Sequence, residues 1–184
     1  IIETLRHINA RYNYVVNVGA GSIKLIELDD AGNFRAYKEN TLCAAGTGSF
    51  LDEQMSRMGM DYGALSGLRF IEEAPDIATR CAVFAKSDLI HRQQEGYTRE
   101  EMWSGLCRGV VKTMLQSVLT DDMTSGRILF CGGIFLNPIV RTWLKRTAPN
   151  AFFLDNGHFL TSIGSIISHE RGLTSRNGGR FSGI

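Results

Sequence analysis

The sequence has no long apolar run, no excess of charge of either sign, and few prolines. No stretch approaches the roughly 20 consecutive apolar residues of a membrane-spanning helix, so we expect no membrane association. The formal net charge of +1 gives no electrostatic basis for binding nucleic acid. Residues 1–11 carry charges and lack the apolar stretch of a signal peptide.

Cysteine is also sparse, with four in a chain of 184 residues. Their wide spacing is not typical of a secreted disulfide framework, so we expect a reducing, cytoplasmic environment. The chain opens with Ile1 rather than Met, in the middle of a helical pattern. We therefore expect it to be a piece of a longer protein.

The order of the predicted elements indicates an α/β fold with a mixed sheet. Short β-rich runs at residues 14–18, 23–28 and 34–37 predict an antiparallel meander. Thr98 and Glu101 form a capping-box pattern that opens the longest predicted helix. Further helices are predicted at residues 1–11, 50–58, 62–68, 84–94 and 161–171 and from 137 onwards, and further strands at 127–131 and 151–154.

Two glycine-rich turns are candidate nucleotide contacts. Gly19 and Gly21 join the first two predicted strands, and such a hairpin can present N–H groups to phosphate, with Ser22 and Lys24 as additional donors. Residues 132–133 (GG) follow a buried strand and precede a helix, where ligands bind in open α/β sheets. A tight hairpin and an empty turn are the alternatives.

Two small-residue loops that contain cysteine each lead into a helical pattern. They are residues 43–49 (CAAGTGS) and 81–85 (CAVFA). Free N–H groups at a helix start favour thiolates and anionic ligands, so Cys43 and Cys81 are candidate metal ligands. Iron–sulfur clusters and zinc usually take four protein ligands, which a symmetric dimer could supply as two from each copy. The alternative is a pair of buried free thiols, and Cys107 and Cys131 are expected to pack in the core.

Three segments resemble the activator family of 2-hydroxyacyl-CoA dehydratases, which also contains the ATPase subunits of benzoyl-CoA reductase. They are residues 43–51 (CAAGTGSFL), 81–90 (CAVFAKSDLI) and 132–137 (GGIFLN), in the family's order and spacing. The likeness runs from about residue 15 to residue 167. It extends to long fused CoA-substrate activases that carry two such modules.

The resemblance implies a ribonuclease H-like lobe of the actin, sugar-kinase and heat-shock-protein ATPase fold, with ATP or ADP and magnesium bound between two lobes. It also implies a homodimer in which Cys43 and Cys81 of both copies hold one [4Fe–4S] cluster. ATP then drives delivery of a low-potential electron from a donor such as ferredoxin or flavodoxin to a CoA-thioester dehydratase or reductase. The implied nucleotide contacts are Gly19, Gly21, Ser22, Lys24, Gly46, Thr47, Gly48, Gly132 and Gly133.

The sequence departs from the family pattern in two places. Nothing before residue 15 resembles the family's first phosphate hairpin, so we expect an ATPase-fold domain at residues 1–172 with an incomplete first lobe, and a flexible polar tail at 173–184. The second hairpin, Asp-x-Gly-Gly-Gln-Asp in the family, has Asn17 and Ser22 in place of the carboxylates. This change affects magnesium binding and hydrolysis more than phosphate binding, so we expect no ATP hydrolysis by the chain alone.

Three hypotheses follow from these patterns. The first is an ATPase-fold module of an iron–sulfur activator. The second is a catalytically inactive structural or regulatory dimerisation module of a fused activase, without cluster or turnover. The third is a zinc-stabilised interaction domain.

Overall fold

One mixed five-stranded sheet organises the chain. The computed structural model describes residues 1–40, 45–119, 123 and 126–172. The sheet order is β3-β2-β1-β4-β5, with antiparallel pairing within the meander and parallel pairing of β1 with β4 and of β4 with β5. The predicted mixed sheet is therefore confirmed. The strands are β1 Tyr14–Val18, β2 Ile23–Leu28, β3 Phe34–Asn40, β4 Ile128–Cys131 and β5 Ala151–Phe152.

Six α-helices flank this sheet within the described part of the chain. None of them is long and apolar enough to cross a membrane. Short 3₁₀ segments occupy Tyr62–Gly67, Gly133–Leu136 and Gly157–Phe159. The helices are α1 Ile2–His7, α2 Gly48–Arg57, α3 Ala82–Gln94, α4 Arg99–Val118, α5 Pro138–Thr147 and α6 Leu160–Glu170.

Several element boundaries differ from the sequence prediction. Helices α2 and α3 each begin two residues earlier than predicted, at Gly48 and Ala82. Helix α1 ends at His7 rather than near residue 11, since Asn9 adopts a left-handed conformation with φ of 52°. The last strand is shorter than predicted and the third strand longer. The predicted tail at residues 173–184 lies outside the described residues.

The alternation of side chains along the sheet creates two cores. Val16 and Val18 of β1 face a large core shared with α2, α4 and α5. Val15 points to the opposite face, where it packs in a smaller core with Leu5 of α1 and Leu160 of α6. Both sides of β1 are thus buried, as expected of a central strand that pairs in parallel on one side.

Helix α4 is the most deeply buried helix. Its predicted capping box is present: Glu101 N donates to Thr98 Oγ1 at 3.3 Å, and Thr98 N donates to Glu101 Oε2 at 2.7 Å. Thr98 Oγ1 also donates to Glu101 Oε2 at 2.7 Å, and the two hydrogen bonds from Thr98 to this carboxylate lower the pKa of Glu101. The helix's fully buried side chains include Trp103, Leu106, Val110 and Met114.

Residues 69–80, which we call the strap, run along α4 without regular secondary structure and lead directly to Cys81. Two glycines of α4 make room for it. A Cβ on Gly105 would lie 2.1 Å from the Pro75 carbonyl oxygen, and one on Gly109 would lie 2.5 Å from Thr79 Cγ2. The strap therefore packs against the backbone of α4.

Polar contacts fix the position of the strap. Ser104 Oγ donates to the carbonyl oxygen of Ile71 at 2.6 Å, and Arg108 Nη2 donates to that of Ala74 at 2.7 Å. Both donors lie on the same helix as the two glycines. These contacts fix the position of the strap along α4. Because the strap leads directly into α3, they also fix where α3 begins.

We expect Gly105→Ala to destabilise the protein by about 1–3 kcal/mol, because the new methyl group overlaps the strap backbone at Pro75. Urea denaturation measures the change in the free energy of unfolding. Gly67→Ala is the matched control, since a Cβ at Gly67 meets no atom within 4 Å. Equal stabilities of the two variants would contradict the close approach.

Candidate functional site

A cavity of about 590 Å³ opens beside the carboxyl ends of β1 and β4. It lies between the hairpin that joins β1 to β2, helix α2, and the turn that follows β4. This is where ligands bind in open α/β sheets. Its lining residues are Gly19, Ala20, Gly48, Leu51, Asp52, Met55, Tyr62, Leu65, Trp103, Gly133, Ile134, Leu136, Asn137 and Pro138.

The glycine hairpin is docked on the start of α2. Gly48 N donates to the Gly19 carbonyl oxygen at 3.0 Å, and Ser49 N donates to that of Ala20 at 2.8 Å. A Cβ on Gly48 would lie 3.3 Å from the Gly19 oxygen. The first amides of α2 are therefore bonded to the hairpin and do not point free N–H groups at an anion.

The tip of the hairpin keeps its own donors. Gly19 N is used internally, since it donates to the Ser22 carbonyl oxygen at 3.0 Å. Among the described residues, the amides of Ala20 and Gly21 make no backbone hydrogen bond. A Cβ on Gly21 meets nothing within 4 Å, so the tip is open to an incoming group. Such unpaired amides are the donors that a phosphate requires.

Ser22 and Lys24 are engaged elsewhere. Lys24 Nζ lies 3.4 Å from Glu39 Oε1, and the Ser22 side chain also hydrogen-bonds Glu39. Lys24 pairs with Asn17 across the sheet, and both line a separate cavity against α1 and α6. The structure thus places Lys24 on the sheet face away from the first cavity, and its nucleotide contact stays a prediction.

The glycine pair after β4 has two different roles. Gly132 has φ of +109°, and a Cβ there would lie 2.1 Å from the Val18 carbonyl oxygen, so glycine is required for the close approach of β4 to β1. Gly133 lines the cavity and has open space around it. Of this pair, the structure brings Gly133 to the cavity wall.

Gly46 and Thr47 are packing residues in the described structure. Gly46 has φ of +81°, and a Cβ there would lie 3.3 Å from Met114 N of α4. Thr47 is fully buried, with its Oγ1 3.3 Å from Ser49 Oγ. Neither residue lines the cavity. Of the predicted nucleotide contacts, the cavity brings together Gly19, Gly48 and Gly133.

Sequence reasoning missed most of the cavity wall. Tyr62 and Leu136 face it from separate 3₁₀ segments and are 62% and 65% exposed. Trp103 of α4 also lines the cavity and is fully buried. Asp52 lies at the edge of the cavity, where burial raises the pKa of its carboxyl group. These residues come from four separate segments, so no local motif connects them. Asn137 also lines the cavity, and among these additional lining residues it alone belonged to a local sequence pattern, the predicted start of a helix.

The cysteines fall into two groups. Cys107 and Cys131 are buried in the core as predicted, and burial raises the pKa of both thiols, that of Cys131 to about 12. Cys81 is a free, partly exposed thiol at the N-cap of α3. Cys43 lies outside the described residues. Among the residues that the structure describes, no group of three or more His, Cys, Asp or Glu side chains could hold a metal ion.

The loops that contain the two candidate ligands are attached to neighbouring residues of α4. Thr79 Oγ1, two residues before Cys81, lies 2.8 Å from Thr113 Oγ1. Gly46, three residues after Cys43, packs on the backbone of Met114. Both loops therefore meet the same turn of one helix, although they are distant in sequence.

Comparison with known proteins identifies related sequences. The model of the BadF/BadG/BcrA/BcrD ATPase family matches residues 8–151. The chain is 27% identical over 133 residues to the 2-hydroxyisocaproyl-CoA dehydratase activator of Clostridioides difficile, covering 71% of this chain and 50% of that protein. It is also 27% identical over 135 residues to one of the subunits of benzoyl-CoA reductase from Thauera aromatica, covering 71% and 47%.

A solved structure shares the fold. The activator of 2-hydroxyisocaproyl-CoA dehydratase from Clostridium difficile with bound ADPNP superposes with a TM-score of 0.77 and 19% identity, over 95% of this chain and 68% of that one. The expected actin, sugar-kinase and heat-shock-protein ATPase fold is thus confirmed. The chain spans about half the length of the curated relatives it matches.

We expect Gly132→Ala to destabilise the protein by about 3 kcal/mol, because the methyl group would overlap the Val18 carbonyl oxygen and the backbone has a positive φ. Thermal denaturation provides the measurement. Gly133→Ala, one residue on, adds a methyl group in open space and serves as control. If Gly132→Ala melted at the temperature of the control, the proposed crowding between β4 and β1 would be wrong.

Proposed function

The chain belongs to the BadF/BadG/BcrA/BcrD ATPase family, and from this we propose that it is the nucleotide-binding module of an iron–sulfur activator. In this proposal two copies hold one [4Fe–4S] cluster through Cys43 and Cys81. The module takes an electron from a carrier such as ferredoxin or flavodoxin and passes it to a CoA-thioester dehydratase or reductase. The transfer is coupled to ATP, bound with magnesium.

The attachment of both cysteine loops to one turn of α4 carries this proposal. The contacts of Thr79 with Thr113 and of Gly46 with Met114 hold the two loops at adjacent residues. Each contact lies within three residues, along the chain, of one of the two proposed ligands, which supports a shared site. In this proposal one chain supplies two thiolates, so a four-thiolate site requires a second copy.

The donor set suits a cluster. Cys81 is partly exposed and sits at the N-cap of α3, where the helix dipole favours negative charge on a bound group. A [4Fe–4S] cluster supplies one-electron transfer at low potential. The buried Cys107 and Cys131 are unsuited to this role, because their raised pKa values keep them as thiols.

The cavity beside β1 and β4 supports nucleotide binding. The open amides at the hairpin tip suit a phosphate, and the exposed apolar side chains of Tyr62 and Leu136 offer a surface for a flat base. Asp52 is the acidic side chain in its described lining and can accept hydrogen bonds from hydroxyl groups. Because Asn17 and Ser22 replace the expected carboxylates, we infer that binding survives better than hydrolysis in the isolated chain.

We expect Leu136→Ala to weaken nucleotide binding by about fivefold, because burial of an exposed leucine against a base contributes about 1 kcal/mol. Titration with a fluorescent ADP analogue measures the dissociation constant. Ile166→Ala on α6 is the matched control, since Ile166 is 60% exposed and lies away from the cavity. Equal affinities of the two variants would show that Leu136 does not contact the base.

Oxygen-free purification tests the cluster. We expect a brown protein with about one cluster per dimer, whose broad visible absorption is lost in Cys43→Ser and Cys81→Ser. Cys131→Ala is the control, because this buried thiol lies in the smaller core and should leave the absorption unchanged. One zinc ion per dimer would indicate the interaction domain instead. A colourless, metal-free protein would indicate the inactive dimerisation module.

A further inference from the structure

A groove of about 590 Å³ is lined by the end of α2, one face of α3 and the start of α4. We call it the basic groove. Its described lining contains no cysteine and shares no residue with the candidate nucleotide cavity. The groove is therefore distinct from both sites of the proposed function.

The floor of the basic groove is apolar. Its four lining residues on α3 are at positions 86, 89, 90 and 93, the i, i+3, i+4 and i+7 spacing of one helix face, and they extend over about 10 Å. Leu89 and Met102 are almost completely buried there, whereas Ile90 is 48% exposed. An apolar chain that covered Ile90 would remove this surface from water, which is favourable.

The charged residues in the described lining of the groove are all cations, namely Arg57, Lys86 and Arg99. Arg57 pairs with Glu53 of its own helix. Lys86 and Arg99 are exposed, and neither forms an ion pair within the described part of the chain. The groove therefore combines an apolar floor with two unpaired positive charges.

The carboxylates of α3 and of the first turn of α4 have other partners. Asp88 accepts a hydrogen bond from a strap amide at 2.8 Å. Glu100 lies 3.3 Å from Arg69. Glu101 accepts hydrogen bonds from Thr98 in the capping box. The positive charges of the groove are thus left for an anion from outside the chain.

We propose that the basic groove binds a small amphipathic anion, a carboxylate or phosphate carried by an apolar chain. The anionic group pairs with Lys86 and Arg99, and the apolar chain covers Ile90. The size of the groove fits this class, because sites for small molecules occupy about 300–1,000 Å³. A face of about 10 Å along one helix is short for a protein partner, since stable interfaces bury about 1,200–2,000 Å².

The groove extends away from the loop that leads to Cys81. Ile90 lies about 13 Å along α3 from Cys81. Arg99 lies about 21 Å along α4 from Thr113, which holds that loop. Variants of Ile90 and Arg99 therefore test the groove without changing the surroundings of the cysteine.

Calorimetric titration of the full chain with simple amphiphiles tests the chemistry of the ligand. We expect octanoate and octyl phosphate to bind, and octan-1-ol and octyltrimethylammonium to bind about tenfold more weakly or not at all. Hexanoate, which is two methylene groups shorter, should bind about tenfold more weakly than octanoate. The tighter of the two anions identifies the head group.

Three results of these titrations would overturn the proposal. The first is no binding of either octyl anion. The second is equal affinity for octanoate and octan-1-ol, which would mean that the charge is not recognised. The third is equal affinity for octyl phosphate and inorganic phosphate, which would mean that the apolar chain is not recognised.

Substitutions locate the ligand. We expect Arg99→Gln to weaken octanoate binding by about fivefold and Ile90→Ala by about threefold. Arg35→Gln and Ile166→Ala are the matched controls, because they make the same changes at exposed positions outside the groove. Losses of affinity as large in the controls as in the groove variants would contradict a site at this position.

Two further outcomes would also reject the groove. If Leu136→Ala weakened octanoate binding as much as Arg99→Gln does, the ligand would occupy the candidate nucleotide cavity instead. If the protein bound phosphatidylglycerol vesicles but neither octyl anion, the basic groove would belong to a membrane-binding surface. Neither outcome affects the proposed nucleotide and cluster sites, whose tests use other residues.

Discussion

The close approach of two chain segments to the backbone of α4 is the constraint on which the rest of this structure depends. Gly105 and Gly109 admit the strap, and Gly46 lets the first cysteine loop rest on the helix at Met114. None of these contacts tolerates a side chain without movement. Because α4 is also buried against the sheet, its position fixes both the cysteine loops and one wall of the candidate nucleotide cavity.

Helix α4 thereby connects the candidate nucleotide cavity with the loop that leads to Cys81. Trp103, near its start, forms part of the candidate nucleotide cavity, whereas Thr113, nearly three turns later, holds the loop before Cys81. Between them lie the residues that bind the strap. The helix therefore provides continuous physical contact between the cavity and the loop. Energetic coupling between them would require α4 to adopt two alternative positions.

The two walls of the candidate nucleotide site differ in the groups that they offer to a ligand. The hairpin uses its carbonyl groups to dock on α2, and at its tip the amides of Ala20 and Gly21 have no backbone partner among the described residues. The opposite wall is apolar and exposed at Tyr62 and Leu136. This division between polar backbone on one side and apolar side chains on the other matches a ligand with a charged end and a flat end.

The sequence alone determined the mixed sheet, the capped helix α4 and the glycine turns, because these depend on local periodicity and on turn and cap chemistry. It also indicated the family through three motifs. Only the tertiary structure decided that Lys24 faces away from the cavity and pairs with Glu39, and that Gly46 and Gly132 serve close packing. Tyr62, Trp103 and Leu136 likewise meet at one cavity only through folding, since contacts between distant segments leave no periodic signal in the chain.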